Sequence, residues 1–303
     1  MTAAETATTA AGDVPVAQVI EVDGIPSSAL LLAVPEPRGV IVALHGGASK
    51  AAYYDCPGFP RHSLLRTGAA NGYTVLALDR PGYEASYELG GRFTTAEQRV
   101  DWAYAAVEAH LGDRARGAGT FILAHSVGSE LGVRMAAANP RGDLLGLEIS
   151  GTGLEHQAQA ARVLVPRHNG GKKPDGAGVR ELLWNPARLY PAELSGGGAI
   201  SAPGPKYEYE VVRDWPTITF PDKASQVRVP VHFTSGEFEN VWRQDPDALH
   251  DIGALFSNSP RVVVEQQFDG GHNLSLGYTA RAYHLNILSF VEECIDDAKR
   301  PGH

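Results

Sequence analysis

Ser126 lies in a stretch, residues 120–132, whose residue types and spacing are suited to nucleophilic chemistry. The apolar residues Phe121–Leu123 are typical of a buried strand. After Ser126 the apolar residues change to helical spacing, at Val127, Leu131, Met135 and Ala138. A sharp strand-to-helix turn at Ser126 needs small residues two positions away on each side, and Ala124 and Gly128 meet this requirement. The hydroxyl would then project above the sheet, next to a helix N-terminus, where negative charge is stabilised.

This turn resembles the nucleophile elbow of the α/β-hydrolase superfamily, whose pattern is Gly-x-Ser-x-Gly. The chain has Ala-His-Ser-Val-Gly at residues 124–128, with alanine in the first small position. A serine that only caps a helix is the simpler interpretation. That interpretation explains the hydroxyl, but not the glycines, the buried strand or the matching segments on both sides. The resemblance implies that Ser126 is the nucleophile of a serine hydrolase of the esterase type.

A serine hydroxyl is a poor nucleophile at neutral pH unless a neighbouring base removes its proton. His272 follows two glycines just past the last predicted strand, and no other histidine of the sequence has this context. The catalytic histidine of the superfamily occupies the same position. The resemblance therefore implies that His272 is the base.

The base needs a carboxylate that fixes its tautomer and stabilises the imidazolium ion. The superfamily usually places this acid after the seventh strand, in a pattern close to Gly-x-x-Asp, and the chain has Gly-Glu-Phe-Glu at residues 236–239. The resemblance implies Glu239 as the acid, with some local adjustment because glutamate is longer than aspartate. Glu237 is the alternative, followed by Asp245 and by Glu155 after the sixth strand.

The nearly continuous apolar run at residues 39–44 is typical of a strand buried on both faces, and it ends in His-Gly-Gly at residues 45–47. In the superfamily a His-Gly motif at this place supplies one donor to the oxyanion hole. The resemblance implies Gly47 as that donor, with Ala48 as the alternative, and the Val127 N–H as the second donor. For His45 we favour a structural role over a catalytic one.

Strands and helices that alternate along the chain must position these residues. The predicted strands are residues 16–22, 29–34, 39–44, 73–79, 121–123, 144–149, 227–235 and 261–268. The first two are joined by a turn at Asp23-Gly24 and form an antiparallel entry to the sheet. The remaining alternation predicts an α/β fold with a mainly parallel central sheet covered by helices on both faces, which is the α/β-hydrolase fold.

Predicted helices separate these strands. A helix is expected over residues 60–70, and Thr94 and Glu97 have the spacing of a capping box at the start of the next helix. That helix has one apolar face, made of Val100, Ala103, Val107 and Leu111. A helix follows at residues 246–256, and the closing helix has a predicted apolar face at Tyr278, Ala282, Leu285, Leu288, Val291 and Ile295. The loop after residue 78 resembles a superfamily loop, in which Asp79 and Arg80 are expected to organise the chain.

Residues 151–224 are too long and irregular for a plain loop. Helical pieces are predicted at residues 155–165, 179–184 and 207–212, separated by glycine-rich stretches that include residues 170–176. The position matches the cap that many α/β-hydrolases insert after the sixth strand. Its large apolar and aromatic residues are Trp184, Leu189, Tyr190, Tyr207, Tyr209 and Trp215. They could form the core of the cap itself, or Trp184 and Trp215 could line a pocket for a partly apolar substrate.

The composition narrows the function classes. The formal net charge is 26 − 35 = −9, so no electrostatic footprint for nucleic acid or an anionic membrane is present. Residues 1–14 have neither the basic nor the apolar region of a secretory signal and are expected to be a disordered tail, and no run is apolar enough to span a membrane. Two cysteines, Cys56 and Cys294, suggest neither a disulfide framework nor a zinc site, so a reducing cytoplasm fits best.

The expected organisation is a core of residues 15–150 and 225–300 with residues 151–224 as the cap. The order Ser126, Glu239, His272 is the superfamily's order of nucleophile, acid and base. The expected reaction is acyl transfer from an ester or related small molecule to water, without a metal or an organic cofactor. Two alternatives remain: a non-hydrolytic enzyme of this fold, such as an isomerase, epimerase or lyase that uses His272 for proton transfer, and a ligand-binding protein.

Overall fold

The computed structural model describes residues 14–168 and 176–300. Residues 1–13 of the expected tail, and residues 170–175 of the glycine-rich stretch, lie outside the described residues. Within the described ranges no helix combines the length and the apolar character needed to cross a membrane.

Among the described residues, eight strands form a single sheet: β1 (Val16–Val22), β2 (Ile25–Leu32), β3 (Val40–Leu44), β4 (Thr74–Leu78), β5 (Thr120–His125), β6 (Leu144–Ser150), β7 (Val231–Phe238) and β8 (Val262–Gly271). Their order in the sheet is β1-β2-β4-β3-β5-β6-β7-β8. β2 pairs antiparallel with both β1 and β4, and the pairs from β4 to β8 are all parallel. The antiparallel entry and the mainly parallel sheet are confirmed.

Nine α-helices lie within the described ranges: α1 (Leu64–Ala70), α2 (Ala96–Leu111), α3 (Gly128–Ala138), α4 (Ala158–His168), α5 (Gly176–Trp184), α6 (Glu208–Asp214), α7 (Phe220–Ala224), α8 (Pro246–Leu255) and α9 (Ala280–Ala298). One core cluster packs α2 and α3 on one face of the sheet, and a second packs α1 and α9 on the other. All five residues of β3 are buried. The prediction of a sheet covered on both faces is therefore confirmed.

Two strands begin four residues away from their predicted starts. β2 begins at Ile25, where it pairs with Val22 directly after the turn, and its serines have buried partners: Ser27 Oγ contacts a ring nitrogen of His110, and Ser28 Oγ–H donates to Asp79. The serines interrupt the apolar pattern, so that pattern does not indicate where β2 begins. β7 begins only at Val231, since Pro230 before it has no N–H to donate to a ladder.

The capping box of α2 is shifted by one residue. Thr95 is the N-cap: its Oγ1 accepts from the Gln98 N–H, while Gln98 Oε1 accepts from the Thr95 N–H. The predicted pair, Thr94 and Glu97, has the same spacing, and the sequence alone does not distinguish the two registers. The four apolar residues predicted to face the core on α2 are all buried.

The predicted face of α9 is only partly correct. Leu288, Val291 and Ile295 are buried, but Tyr278, Ala282 and Leu285 are exposed. Polar-tipped residues occupy the core side near the helix start, where Tyr283 OH bonds to Ser150 and His284 bonds to Ser275. A search for apolar residues assigns such positions to the surface.

Between β6 and β7 the chain forms α4, α5, α6 and α7, with a π-helical segment at Trp215–Thr219 before α7. Three helices were predicted in this region and are present, whereas α7 was not predicted. This segment between β6 and β7, which we call the insertion, therefore leaves the sheet at the end of β6 and returns to it at β7.

Candidate active site

Ser126 lies on the turn between β5 and α3, with a backbone φ of 52°. This left-handed conformation is uncommon and costly for a residue with a side chain, and residues held in it are enriched at active sites. The Ser126 N–H donates to the carbonyl oxygen of Ser150 at 2.8 Å, which holds the turn on β6. A Cβ at Gly128 would lie 2.5 Å from the carbonyl oxygens of both Leu44 and His45, so only glycine fits there.

Alanine in the first small position of the elbow has a structural compensation. Ala124 is fully buried, and a Cβ at Gly132 on α3 would lie 2.7 Å from the Ala124 methyl group. Glycine at position 132 therefore leaves the room that the extra methyl group occupies. The strand and the helix of the turn still approach closely.

The loop of residues 45–48, which we call the 45–48 loop, runs alongside the elbow. A Cβ at Gly46 would lie 3.1 Å from Ser126 Cβ, and a Cβ at Gly47 would lie 3.0 Å from Val127 Cγ2. In the part of the chain that the structure describes, the N–H groups of Gly47 and Val127 make no hydrogen bond. The Ala48 N–H, in contrast, donates to Tyr83 OH at 3.0 Å. This geometry favours Gly47 over Ala48 as an oxyanion donor.

Glu239 and His272 form a buried pair just past the ends of β7 and β8. The two carboxylate oxygens of Glu239 lie 3.0 and 2.9 Å from His272 Nδ1, and the side chains are 2% and 3% exposed. Glu239 Oε1 also accepts from the Val241 N–H at 2.8 Å. The carboxylate is thus positioned to hold the proton on Nδ1 and to leave Nε2 as the basic nitrogen.

Ser126 Oγ makes no hydrogen bond to His272 within the described residues. Such contacts are often long in the absence of substrate and tighten only when substrate binds. The His272 ring packs edge-on against the His125 ring, with centroids 5.1 Å apart, and a Cβ at Gly151 would lie 3.2 Å from His272 Cε1. His272 is therefore held next to the residue that precedes Ser126.

The other carboxylates considered from the sequence lie elsewhere. Glu237 is exposed and accepts from the Asp269 N–H. Asp245 caps α8, and both it and Glu155 pair with Arg243. None of them makes a hydrogen bond to His272 within the described ranges. A register shift between Gly236 and Phe238 precedes Glu239 and redirects the chain at this point.

His45 has the contacts of a structural histidine. Its Nε2 accepts from the Arg80 N–H at 3.1 Å, and its Nδ1 donates to the Gly46 carbonyl oxygen at 2.8 Å. Burial, and then the charge of Arg80, lower the pKa of His45 well below its ordinary value, so the ring is neutral. Asp79 accepts from Ser28 Oγ and from a backbone N–H, as expected for a residue that organises its loop.

Trp184 and Trp215 are 8% and 5% exposed and belong to core clusters. Trp215 stacks on Phe220 and donates its Nε1–H to Thr152 Oγ1, while Trp184 packs edge-on against Tyr190. Their contribution to a substrate pocket stays a prediction.

Sequence reasoning missed Tyr83 and Glu208, which reach the 45–48 loop from the loop after β4 and from the insertion. No spacing connects two residues that are so far apart in the chain. Trp242 was also missed; its Nε1–H donates to the carbonyl oxygen of Gly151, beside His272.

A surface cavity of about 460 Å³ is lined by Gln157, Ala158, Arg243, Gln244, Asp245 and Gln266. It lies beside the segment that follows Glu239, and neither Ser126 nor His272 lines it. Within residues 14–168 and 176–300 no three His, Cys, Asp or Glu side chains are placed to hold a metal ion. Burial raises the pKa of the free thiol of Cys56 to about 11, which keeps it protonated.

The chain matches the α/β hydrolase family over residues 41–282. No curated protein matches the sequence. A membrane phospholipase A, a bacterial virulence factor, is similar in structure, with a TM-score of 0.67, 15% identity, and coverage of 92% of this chain and 86% of its own.

A carboxyl esterase from Bacillus coagulans has a TM-score of 0.62 and 17% identity, with 93% of this chain and 99% of that chain covered. An epoxide hydrolase from Vigna radiata has a TM-score of 0.59 and 17% identity, with 94% of this chain and 100% of that chain covered. At this level of identity the similarity shows the fold. The three neighbours have different activities, so the reaction must be argued from the site.

Proposed function

Because the chain belongs to the α/β hydrolase family, we propose that it is a serine hydrolase that cleaves an ester, a thioester or a related acyl bond. The family match supports hydrolase activity in general. One observation supports the finer proposal: the buried Glu239–His272 pair lies at the same edge of the parallel sheet as the strained elbow at Ser126. A nucleophile, an orienting acid and a base are the groups that acyl transfer through a covalent intermediate requires.

In the proposed reaction Ser126 Oγ attacks the substrate carbonyl carbon while His272 Nε2 takes the hydroxyl proton. The N–H groups of Gly47 and Val127 donate to the oxygen that becomes negative. His272 then gives the proton to the leaving group. Afterwards it removes a proton from the water that attacks the acyl-enzyme, and it returns that proton to Ser126 Oγ as the acid product leaves. Glu239 keeps the tautomer and stabilises the imidazolium ion throughout. Preorganised N–H donors of this kind contribute on the order of 3 kcal/mol each to the transition state.

The proposed substrate is a small molecule with an apolar part, and residues 151–224 are proposed as a cap over a core of residues 15–150 and 225–300. The insertion contacts two of the loops that carry proposed site residues. Tyr190 OH accepts from the Asn273 N–H, next to His272, and the Asn240 side chain donates to the Asn185 carbonyl oxygen, next to Glu239. A segment held at both loops is well placed to supply the apolar wall of a substrate site.

A fluorophosphonate probe and a panel of p-nitrophenyl esters and thioesters test the proposal. We expect the wild-type protein to be labelled at Ser126 and to turn over short esters, and Ser126→Ala to lose both properties. Ser129 is a matched control, because it is a buried serine on α3 that bonds to backbone oxygens. Ser129→Ala should keep labelling. A wild-type protein that is neither labelled nor active on any ester would contradict the proposal.

The missing hydrogen bond between Ser126 Oγ and His272 favours a second candidate function, proton transfer without a covalent intermediate. An enzyme that uses His272 to move a proton on a bound substrate does not need that hydrogen bond. In that case Ser126→Ala would retain much of the turnover of the true substrate, while His272→Ala would remove it.

A further inference from the structure

A buried arginine connects the 45–48 loop to the insertion. The Arg80 side chain is 2% exposed, and one of its NH2 groups donates to the carbonyl oxygen of Gly46 at 3.1 Å and to Glu208 Oε1 at 2.5 Å. Burial is the strongest single influence and lowers the pKa of the Arg80 guanidinium, but Glu208, together with Tyr83 and Tyr207, outweighs it, so the pKa is raised. Among the described residues Glu208 is the carboxylate that forms an ion pair with Arg80. A residue of the insertion therefore supplies the counterion for this buried positive charge.

A tyrosine makes a second connection between the same partners. Tyr83 OH accepts from the Ala48 N–H at 3.0 Å and donates to Glu208 Oε2 at 2.7 Å. Ala48 has a φ of 51°, a conformation that a residue with a side chain keeps only when its surroundings hold it. Glu208 thus connects to two residues of the 45–48 loop, to Gly46 through Arg80 and to Ala48 through Tyr83.

The segment that carries Glu208 is seated on the loop after β4. A Cβ at Gly82, where φ is 81°, would lie 2.8 Å from Pro205 Cβ, so glycine lets the insertion approach closely. Tyr207 OH donates to the Pro81 carbonyl oxygen at 2.5 Å. These contacts place the Glu208 side chain before it makes any hydrogen bond of its own.

We propose that Glu208 is a positioning residue for the oxyanion donor at Gly47. Through Glu208, the packing of residues 204–208 on the loop after β4, which we call their seating, controls catalysis. The inference rests on the proposed function, because it assigns an oxyanion-binding task to the 45–48 loop. When residues 204–208 are seated, Arg80 and Tyr83 hold the loop with the Gly47 N–H beside that of Val127. When they are not seated, Arg80 loses its counterion, and Glu208 no longer fixes the contacts of Arg80 with Gly46 and of Tyr83 with Ala48.

If Glu208 acted through its charge alone, its replacement would change the reaction rate in the opposite direction from that expected if it positions the loop. Glu208 Oε2 lies 3.5 Å from where a Cβ of Gly47 would be, and a negative charge there repels a developing oxyanion. If only the charge mattered, Glu208→Gln would speed the reaction. If position matters, the amide holds Arg80 and Tyr83 less well and the reaction slows.

The test compares Glu208→Gln with Glu210→Gln, which changes an exposed glutamate of the same helix. Losing an oxyanion donor outright costs about 10²–10³-fold in kcat, so a displaced donor should cost about 10- to 100-fold in kcat for an acetate ester, with little change in KM. Hydrogen exchange of a peptide spanning residues 45–54 should be faster in Glu208→Gln than in Glu210→Gln. Unchanged or raised kcat, or lowered kcat with unchanged exchange, would overturn the proposal.

Tyr83→Phe is a second variant that keeps the Arg80–Glu208 ion pair and removes both hydrogen bonds of Tyr83 OH, the one from the Ala48 N–H and the one to Glu208. It should lower kcat and speed exchange in the same peptide, and combining it with Glu208→Gln should cost less than the sum of the two. Fully additive effects would contradict the shared tether. The exchange measurement needs no substrate, so it decides the positioning role even if the wild-type protein proves inactive on esters; that inactivity would count against the proposed function alone.

Discussion

Replacing Glu239 by glutamine removes the charge of the proposed acid and nearly preserves its shape. Glu239 Oε1 accepts from the Val241 N–H, so the amide oxygen should occupy that position and the amide NH2 should take the place of Oε2. The NH2 group would then face His272 Nδ1 across 2.9 Å. Two donors repel at this distance, so the imidazole proton is driven to Nε2, the nitrogen that accepts the serine proton in the proposed reaction.

The expected loss is large. In a serine protease the corresponding amide substitution costs about 10⁴-fold in kcat, equivalent to about 5 kcal/mol. Since Nδ1 can still reach Oε1 at 3.0 Å, we expect a loss of two to four orders of magnitude, taking about 10⁴-fold as the upper end. The assay is steady-state hydrolysis of p-nitrophenyl acetate, with circular dichroism and thermal unfolding to show that the variant folds.

Glu237→Gln is the matched control, two residues earlier in the same segment. Its side chain is exposed and accepts from the Asp269 N–H, an interaction that the amide oxygen can keep. It should lose less than about tenfold in kcat. The reverse ranking would move the acid to Glu237. Near-wild-type activity in both variants would refute the reasoning and direct attention to Asp245 and Glu155.

The remaining predictions concern stability and substrate range. Burial lowers the pKa of His110 to about 4, below its value in the unfolded chain. The stabilisation that comes from the neutral ring is therefore fully present above about pH 6.5 and is lost as the pH falls toward 4. Denaturant unfolding at several pH values should show that the free energy of unfolding depends less on pH in His110→Gln than in the wild-type protein. Gly128→Ala should lower the free energy of unfolding by at least about 1–3 kcal/mol, because its Cβ would meet the Leu44 carbonyl oxygen; unchanged stability would contradict the close approach. Trp184→Ala and Trp215→Ala should lower kcat/KM more for long-chain or aromatic esters than for acetate esters, and the difference should correspond to about 1–3 kcal/mol. Equal losses of kcat/KM for all esters, together with reduced thermal stability, would assign both residues to the core.

Local chemistry explains what was predictable about the fold. The buried strand at β5, the change to helical spacing and the small residues around Ser126 all depend on neighbours within a few positions, and the structure places the serine on the expected turn. The apolar face of α2 was predictable for the same reason. The capping box was misplaced by one residue, because adjacent threonines offer the same spacing to Glu97 and Gln98.

Where a polar side chain takes part in the core, the same reasoning fails. Tyr283 and His284 are buried on α9 because their polar atoms find partners from other elements, and Leu285 is exposed as a consequence. Which partner is available is a property of the packed structure. Apolar periodicity carries no information about it.

The sequence by itself determined the alternation of strands and helices, the elbow at Ser126 and the short list of residues from which a base and an acid could come. Tertiary structure decided which of them meet: β7 and β8 bring Glu239, and not Glu237, against His272. It also decided that Glu208 pairs with Arg80, which lies 128 residues earlier in the chain. Contacts across such separations form only when the whole sheet and its insertion pack, because their hydrogen bonds and ion pairs compensate a burial cost that does not exist in the unfolded chain.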